Sequence, residues 1–184
     1  MVKRCLILGS ANCLAADIKA ALDLSEFDGV VACKGAGLYW KGELDAWVSL
    51  HPDRMAKETE ERRARGYPPA MRTYGHRKAE GCSHVLEYKF EGQKTSGSSG
   101  LYACKVALSL GFDRLVLCGI PLDREEGRID GKDRWNGSRA FKDGFKEALP
   151  ALAGRARSMS GWTRLLLGAP TLEWLDYQPT REAS

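Results

Sequence analysis

Apolar positions along the chain fall into short runs separated by stretches of helical spacing. Arg4 to Leu8, Gly29 to Cys33, Ala46 to Leu50 and Arg114 to Cys118 are each apolar and of strand length. That is the pattern of strands buried on both faces. Weaker runs at Met71 to Tyr74, Val85 to Phe90 and Arg155 to Met159 predict further strands. Leu14, Ile18, Ala21 and Leu22 recur at helical spacing. From Gly100 to Leu110 only Lys105 and Ser109 interrupt an apolar surface, which predicts a heavily buried helix. Phe141, Phe145, Ala148, Leu149 and Leu152 share one face of a helix that Ser138 can cap, and Thr171 opens a short helix around Trp174. Residues up to Arg65 after His51-Pro52-Asp53 are nearly all polar. They predict a surface helix capped by Asp53 and closed by Gly66 and Pro68-Pro69. Gly35 to Gly37 reads as a turn, and Gly75 to Ser83, Glu91 to Ser99 and Gly119 to Gly137 as loops.

Strands that alternate with helices predict an α/β fold, here a single-domain, Rossmann-like three-layer sandwich with a mostly parallel sheet. No internal repeat and no linker divides the chain. In such sheets ligands bind beyond the carboxyl ends of the strands, where the strand order reverses. The loops that follow the strands are therefore the places to look for chemistry.

Composition narrows the classes. A chain of 184 residues with 43% apolar and 28% charged residues can bury a full core. No apolar run approaches the roughly 18 residues of a membrane span. Leu6-Ile7-Leu8 is too short for the core of a secretory signal, which sets a cytoplasmic expectation with no membrane partner. The net charge of +4 permits an anionic small ligand without calling for a nucleic-acid groove, and the basic stretch from Arg54 to Lys78 reads as a solvated face. The six cysteines form no CxxC pair, so they read as reduced packing residues and no metal site is assigned. Association with a second copy stays open.

Four loops could carry chemistry. Gly9-Ser10-Ala11-Asn12 joins the first strand to its helix: the glycine lets backbone approach a ligand, and Ser10 and Asn12 can bond a phosphate, ribose or base. It is neither GxGxxG nor a Walker A loop. Thr95-Ser96-Gly97-Ser98-Ser99-Gly100 brings hydroxyls to the N-terminus of the buried helix and makes an anion cradle. Gly119 leads through Pro121 and Leu122 to Asp123, which could bind a metal or ribose or act as a base. His51 follows the third strand and is placed for general acid–base work. Arg134 and Trp135 form a candidate acceptor platform, while His76 and His84 sit in loops without a partner motif.

Two blocks carry a family resemblance. Arg4 to Asn12, running on to Val30-Val31-Ala32-Cys33-Lys34, resembles the large sialyl motif of sialyltransferases. Ser96-Gly97-Ser98-Ser99-Gly100-Leu101, running on to Leu108 to Gly119, resembles their small sialyl motif. The same blocks are similar to the archaeal hydroxymethylpterin pyrophosphokinases. Both resemblances imply a nucleotide held by Gly9, Ser10 and Asn12 and by Ser98, Ser99 and Gly100, with Lys34, Ser96 and Gly119 around it. Lys34 stands where sialyltransferases usually carry an asparagine. Their catalytic histidine lies after the small motif, yet this chain has no histidine beyond His84, so the base would be His51 or Asp123.

Three functions follow. One is a glycosyltransferase with a nucleotide-sugar donor and no cofactor, in which the Gly119 to Gly137 loop closes over the acceptor. The second is a magnesium-dependent pyrophosphoryl or nucleotidyl transferase, with Asp123, joined by Asp130 or Asp133, on the metal. The third is a non-enzymatic domain that binds or sequesters a nucleotide.

Overall fold

A computed structural model describes residues 1–123, 127–129, 131 and 138–177. In chain order the elements are β1 (Arg4–Leu8), α1 (Leu14–Leu24), β2 (Gly29–Cys33), α2 (Ala36–Tyr39), β3 (Ala46–Ser49), α3 (Met55–Ala64), β4 (Thr73–Gly75), β5 (His84–Val85), α4 (Ser98–Ser109), β6 (Arg114–Cys118), α5 (Ser138–Glu147), α6 (Leu149–Leu152), β7 (Ala156–Ser158), α7 (Gly161–Leu167) and α8 (Leu172–Asp176). The seven strands make one sheet in the order β5-β4-β3-β2-β1-β6-β7, and every pairing is parallel. The fold is α/β and Rossmann-like, and the sheet is wholly parallel.

Alternation along each strand splits the core in two. Cys5, Ile7, Val31, Ala46, Val48, Leu115 and Leu117 point to the face that packs on α4. Leu6, Leu8, Ala32, Trp47, Val116 and Cys118 point to the opposite face with Leu14, Ile18 and Ala21 of α1. Both faces are covered, which is why the strands read as unbroken apolar runs. The chain builds outward from β1 to β5, then returns through α4 to place β6 on the other side of β1. The strand order therefore reverses between β1 and β6.

Several expectations need correction. Asp53 does not cap α3: Pro52–Arg54 form a 3₁₀ turn, the cap position is Arg54, and the Asp53 carboxylate pairs with Arg77. Nor does α3 merely lie on the surface, because Met55 and Arg62 are fully buried. The guanidinium of Arg62 donates to the carbonyl oxygens of Gly37, Trp40, Gly42 and Pro68 at 2.5–2.7 Å. A charged group can be buried there because its donors are satisfied by backbone. The Gly35 to Gly37 segment continues as α2 rather than ending as a turn. Of the run from Val85 to Phe90 only Val85 pairs in the sheet, as the end of β5, and Leu86, Tyr88 and Phe90 pack instead on the core beside α4. Helix α7 lies in a stretch that reads as no element. Thr171 does cap α8, its hydroxyl accepting from the Trp174 N–H at 3.2 Å. Among the described residues no helix is long and apolar enough to cross a membrane.

Candidate functional site at the strand switch point

The turn after β1 and the turn after β6 meet at the reversal. The Gly9 N–H donates to the Cys118 carbonyl at 2.8 Å, and the Ala11 N–H to the Gly119 carbonyl at 3.1 Å. The approach is so close that a Cβ on Gly9 would lie 2.3 Å from the Gly119 oxygen. Gly119 itself has φ +68°, a left-handed conformation that glycine adopts without cost. Its N–H donates to Asp17 Oδ2 at 2.8 Å, and the same oxygen accepts from Ser160 Oγ at 2.7 Å. Asp17 is thus a buried anchor beneath the crevice. Its one sequence signal is a carboxylate one residue from Ile18 on a helix whose other charges, Lys19 and Asp23, pair with each other at the surface.

Three serines line this crevice with Gly9, Lys34, Gly100 and Gly119. Ser10, Ser98 and Ser99 are 1%, 5% and 4% exposed, and none of their hydroxyl oxygens has a hydrogen-bond partner. Buried hydroxyls are normally paired, so three unpartnered ones on one crevice make it a candidate binding site. Ser98 also holds φ +90°, a conformation that costs a non-glycine residue about 1–2 kcal/mol. Strain of this kind is retained where surrounding structure enforces it, commonly at binding sites. Cys33 borders the crevice too, but burial pushes its thiol up to about 11, so it stays protonated. All six cysteines are free thiols.

Two larger cavities share Lys34 with the crevice, and Lys34 and His51 with each other. The first, of about 720 Å³, is walled by α2, by the Arg54, Lys57, Glu58, Glu61 and Arg65 side of α3, and by Arg128. The second, of about 380 Å³, is lined by Leu50, His76, Tyr88, Phe141 and the serines Ser96, Ser98 and Ser99. Lys34 borders all three spaces and holds φ +49°. Its ammonium is shifted below the ordinary lysine range, first by burial. His51 is exposed and borders both large cavities, and its pKa is lowered by burial, then by Lys34 and Arg54.

The remaining candidates lie elsewhere. Asn12 is exposed and packs against Gly127, whose carbonyl accepts the Asn12 N–H at 2.9 Å. Residues 127–129 thereby return onto the first loop, and the Ile129 N–H donates to the Ser10 carbonyl at 3.0 Å. Asp123 borders none of these three cavities: it sits over Gly161, with Lys142 Nζ 4.0 Å away. Arg134, Trp135, Asp130 and Asp133 lie outside the described residues. Among the described residues no group of three or more histidine, cysteine, aspartate or glutamate side chains gathers to hold a metal. One residue that sequence reasoning set aside belongs to the site. His76 follows β4 as His51 follows β3, and its Nδ1 is buried without a partner. The rule that places His51 applies equally to His76, which follows the weak strand predicted over Met71 to Tyr74 and found at Thr73–Gly75.

No protein-family model and no curated protein sequence matches the chain. Solved structures do resemble it. The sialyltransferase CstII from Campylobacter jejuni, in complex with cytidine-5'-monophosphate, superposes with a TM-score of 0.59 at 16% identity, covering 93% of this chain and 87% of that one. CstII with a trisaccharide acceptor and CMP gives a TM-score of 0.60 at 15% identity, covering 96% and 89%. The monofunctional alpha-2,3-sialyltransferase Cst-I from the same organism gives 0.58 at 13% identity, covering 97% and 83%. The order of strands, the crevice between β1 and β6 and these superpositions together make the fold of this chain a sialyltransferase-like one.

Proposed function

We propose that this chain is a nucleotide-binding transferase that uses a nucleotide-sugar donor. The observation that carries the reading is the set of three buried, unpartnered hydroxyls on Ser10, Ser98 and Ser99 at the strand reversal. Hydroxyls at the start of α4 suit a phosphate or ribose, and the free N–H groups of that helix favour negative charge. The neighbouring sialyltransferase structures hold CMP, which agrees with such a ligand.

In this reading an acceptor hydroxyl attacks the anomeric carbon of the donor sugar. The bond from that carbon to the donor phosphate oxygen breaks, and the electron pair leaves with the phosphate. The N-terminus of α4 and the Lys34 ammonium stabilise the charge that develops there. His51 takes the acceptor proton. Its lowered pKa keeps the imidazole neutral at pH 7, the form able to accept. Tyr88 and Phe141 give the smaller cavity aromatic walls suited to a sugar face. Asp123 is the weaker base because it borders neither large cavity.

A thermal-shift series with CMP, CDP, UDP, GDP, ATP and their sugar conjugates, with and without magnesium, tests the reading. A ligand that binds only the native state raises Tm by mass action. A shift from one nucleotide without magnesium supports the glycosyltransferase and names the base. A shift that needs ATP and magnesium favours pyrophosphoryl transfer. No shift from any nucleotide contradicts the proposal.

A further inference from the structure

The residues of α3 and its cap separate into two stripes. Met55 and Arg62, seven apart, face inward and are fully buried. Arg54, Lys57, Glu58, Glu61 and Arg65 follow the spacing of one helical face and wall the larger cavity. Lys34 and Arg128 border the same space, so among the described residues five cations and two carboxylates line it. Glu61 is already engaged by Arg65 at 2.5 Å. Among the described residues Lys34, Arg54 and Lys57 form no ion pair.

A solvated basic helix face spreads its charge into water, whereas these cations converge on one cavity. The excess positive field registers on its neighbours. Burial is the first cause of the lowered Lys34 pKa; Cys33 opposes it, and Arg128 and Arg54 add to it, while after burial Lys34 and Arg54 disfavour the charged form of His51. The serine crevice, by contrast, offers only about 20 Å³, room for little more than one water-sized group. It can seat an oxygen or two of a ligand but not a second phosphate. Lys34 borders both spaces.

We propose that the basic cavity seats a second phosphate, so that the ligand of this chain is a nucleoside diphosphate conjugate rather than a monophosphate one. The nucleoside half of this statement rests on the proposed function, while the anion seat rests on the charge of the cavity alone. The cations of α3 would balance the diphosphate in the ground state and as it leaves.

The test is calorimetric titration of the full chain with CMP, CDP, UMP, UDP and inorganic pyrophosphate, at low and at high salt. The diphosphate is expected to bind about 10-fold tighter than its matching monophosphate, and that ratio is expected to shrink with salt. It should collapse in the Arg54→Gln/Lys57→Gln double variant, which removes two exposed charges and leaves both buried α3 residues in place. Ser99→Ala should weaken mono- and diphosphate alike and keep the ratio. Equal affinity for the two in the wild type, or a ratio unmoved in the double variant, overturns the inference and leaves the nucleotide reading intact. Pyrophosphate binding that the double variant loses, with no nucleotide bound, upholds the anion seat and overturns the nucleotide.

Discussion

Helices α3 and α4 border the same site and do opposite things. Nine residues of α4 are buried, from Ser98 through Ala107, and it delivers neutral hydroxyls to a narrow crevice. Two residues of α3 are buried, and it presents a row of charges to an open cavity. In the proposed complex the α4 end would recognise by short-range hydrogen bonds, which depend on geometry and little on salt. The α3 end would recognise by field, which salt screens. The contrast teaches that one ligand can be held by two kinds of force, and that substitutions should separate them.

The largest effect is expected where α3 is anchored. Arg62→Ala leaves the carbonyls of Gly37, Trp40, Gly42 and Pro68 without their donor. Stability should fall by about 3 kcal/mol or more, read from urea unfolding midpoints at constant m. A loss within the range of surface substitutions would mean that α2 and α3 dock independently of this group.

Next in size is the crevice. Gly9→Ala puts a methyl 2.3 Å from the Gly119 oxygen and 2.4 Å from Ile120 Cγ1. Both turns would have to shift, at roughly 2 kcal/mol of stability, together with loss of nucleotide binding. Retained stability and binding would show that the turns after β1 and β6 are looser than their hydrogen bonds indicate.

A smaller effect concerns the field at His51. Its pKa lies below the ordinary 6.5, so in the interval between folded and unfolded values the unfolded chain binds more protons. The neutral form therefore contributes stability that is complete above the unfolded value and is lost as pH falls through the folded one. An NMR titration should place His51 below the reference value, and Lys34→Gln should move it upward. A titration unmoved by that change would remove Lys34 from the electrostatics of the site. With His51 as base, the acid limb of the rate profile should follow the same displacement.

Much of the framework was legible because buried parallel strands leave a plain signal. Arg4–Leu8, Gly29–Cys33 and Arg114–Cys118 have the bounds that their apolar runs predict. The edge was harder to read. Leu86, Tyr88 and Phe90 satisfy the alternation of a strand but bury themselves against α4 from a loop, which a period of two cannot distinguish. Arg62 was hidden because a charged residue in a charged helix reads as solvated, and its partners are the backbone carbonyls of Gly37, Trp40, Gly42 and Pro68, which no local pattern brings to it. The loops Gly9 to Asn12 and Ser96 to Gly100 announced themselves by composition. That Ser10, Ser98 and Ser99 would share a crevice while Asn12 turned outward depends on the crossing from β5 back to β6, which no local pattern records.

The most direct measurement is the Tm of Ser99→Ala, free and with a saturating cytidine nucleotide, beside the wild type. If the Ser99 hydroxyl is kept for a ligand, removing a buried unpartnered group stabilises the free protein by about 1 kcal/mol. The same change should weaken the nucleotide about 10-fold. A free protein that melts lower, with nucleotide affinity unchanged, would mean that the hydroxyl serves the fold and would contradict the account.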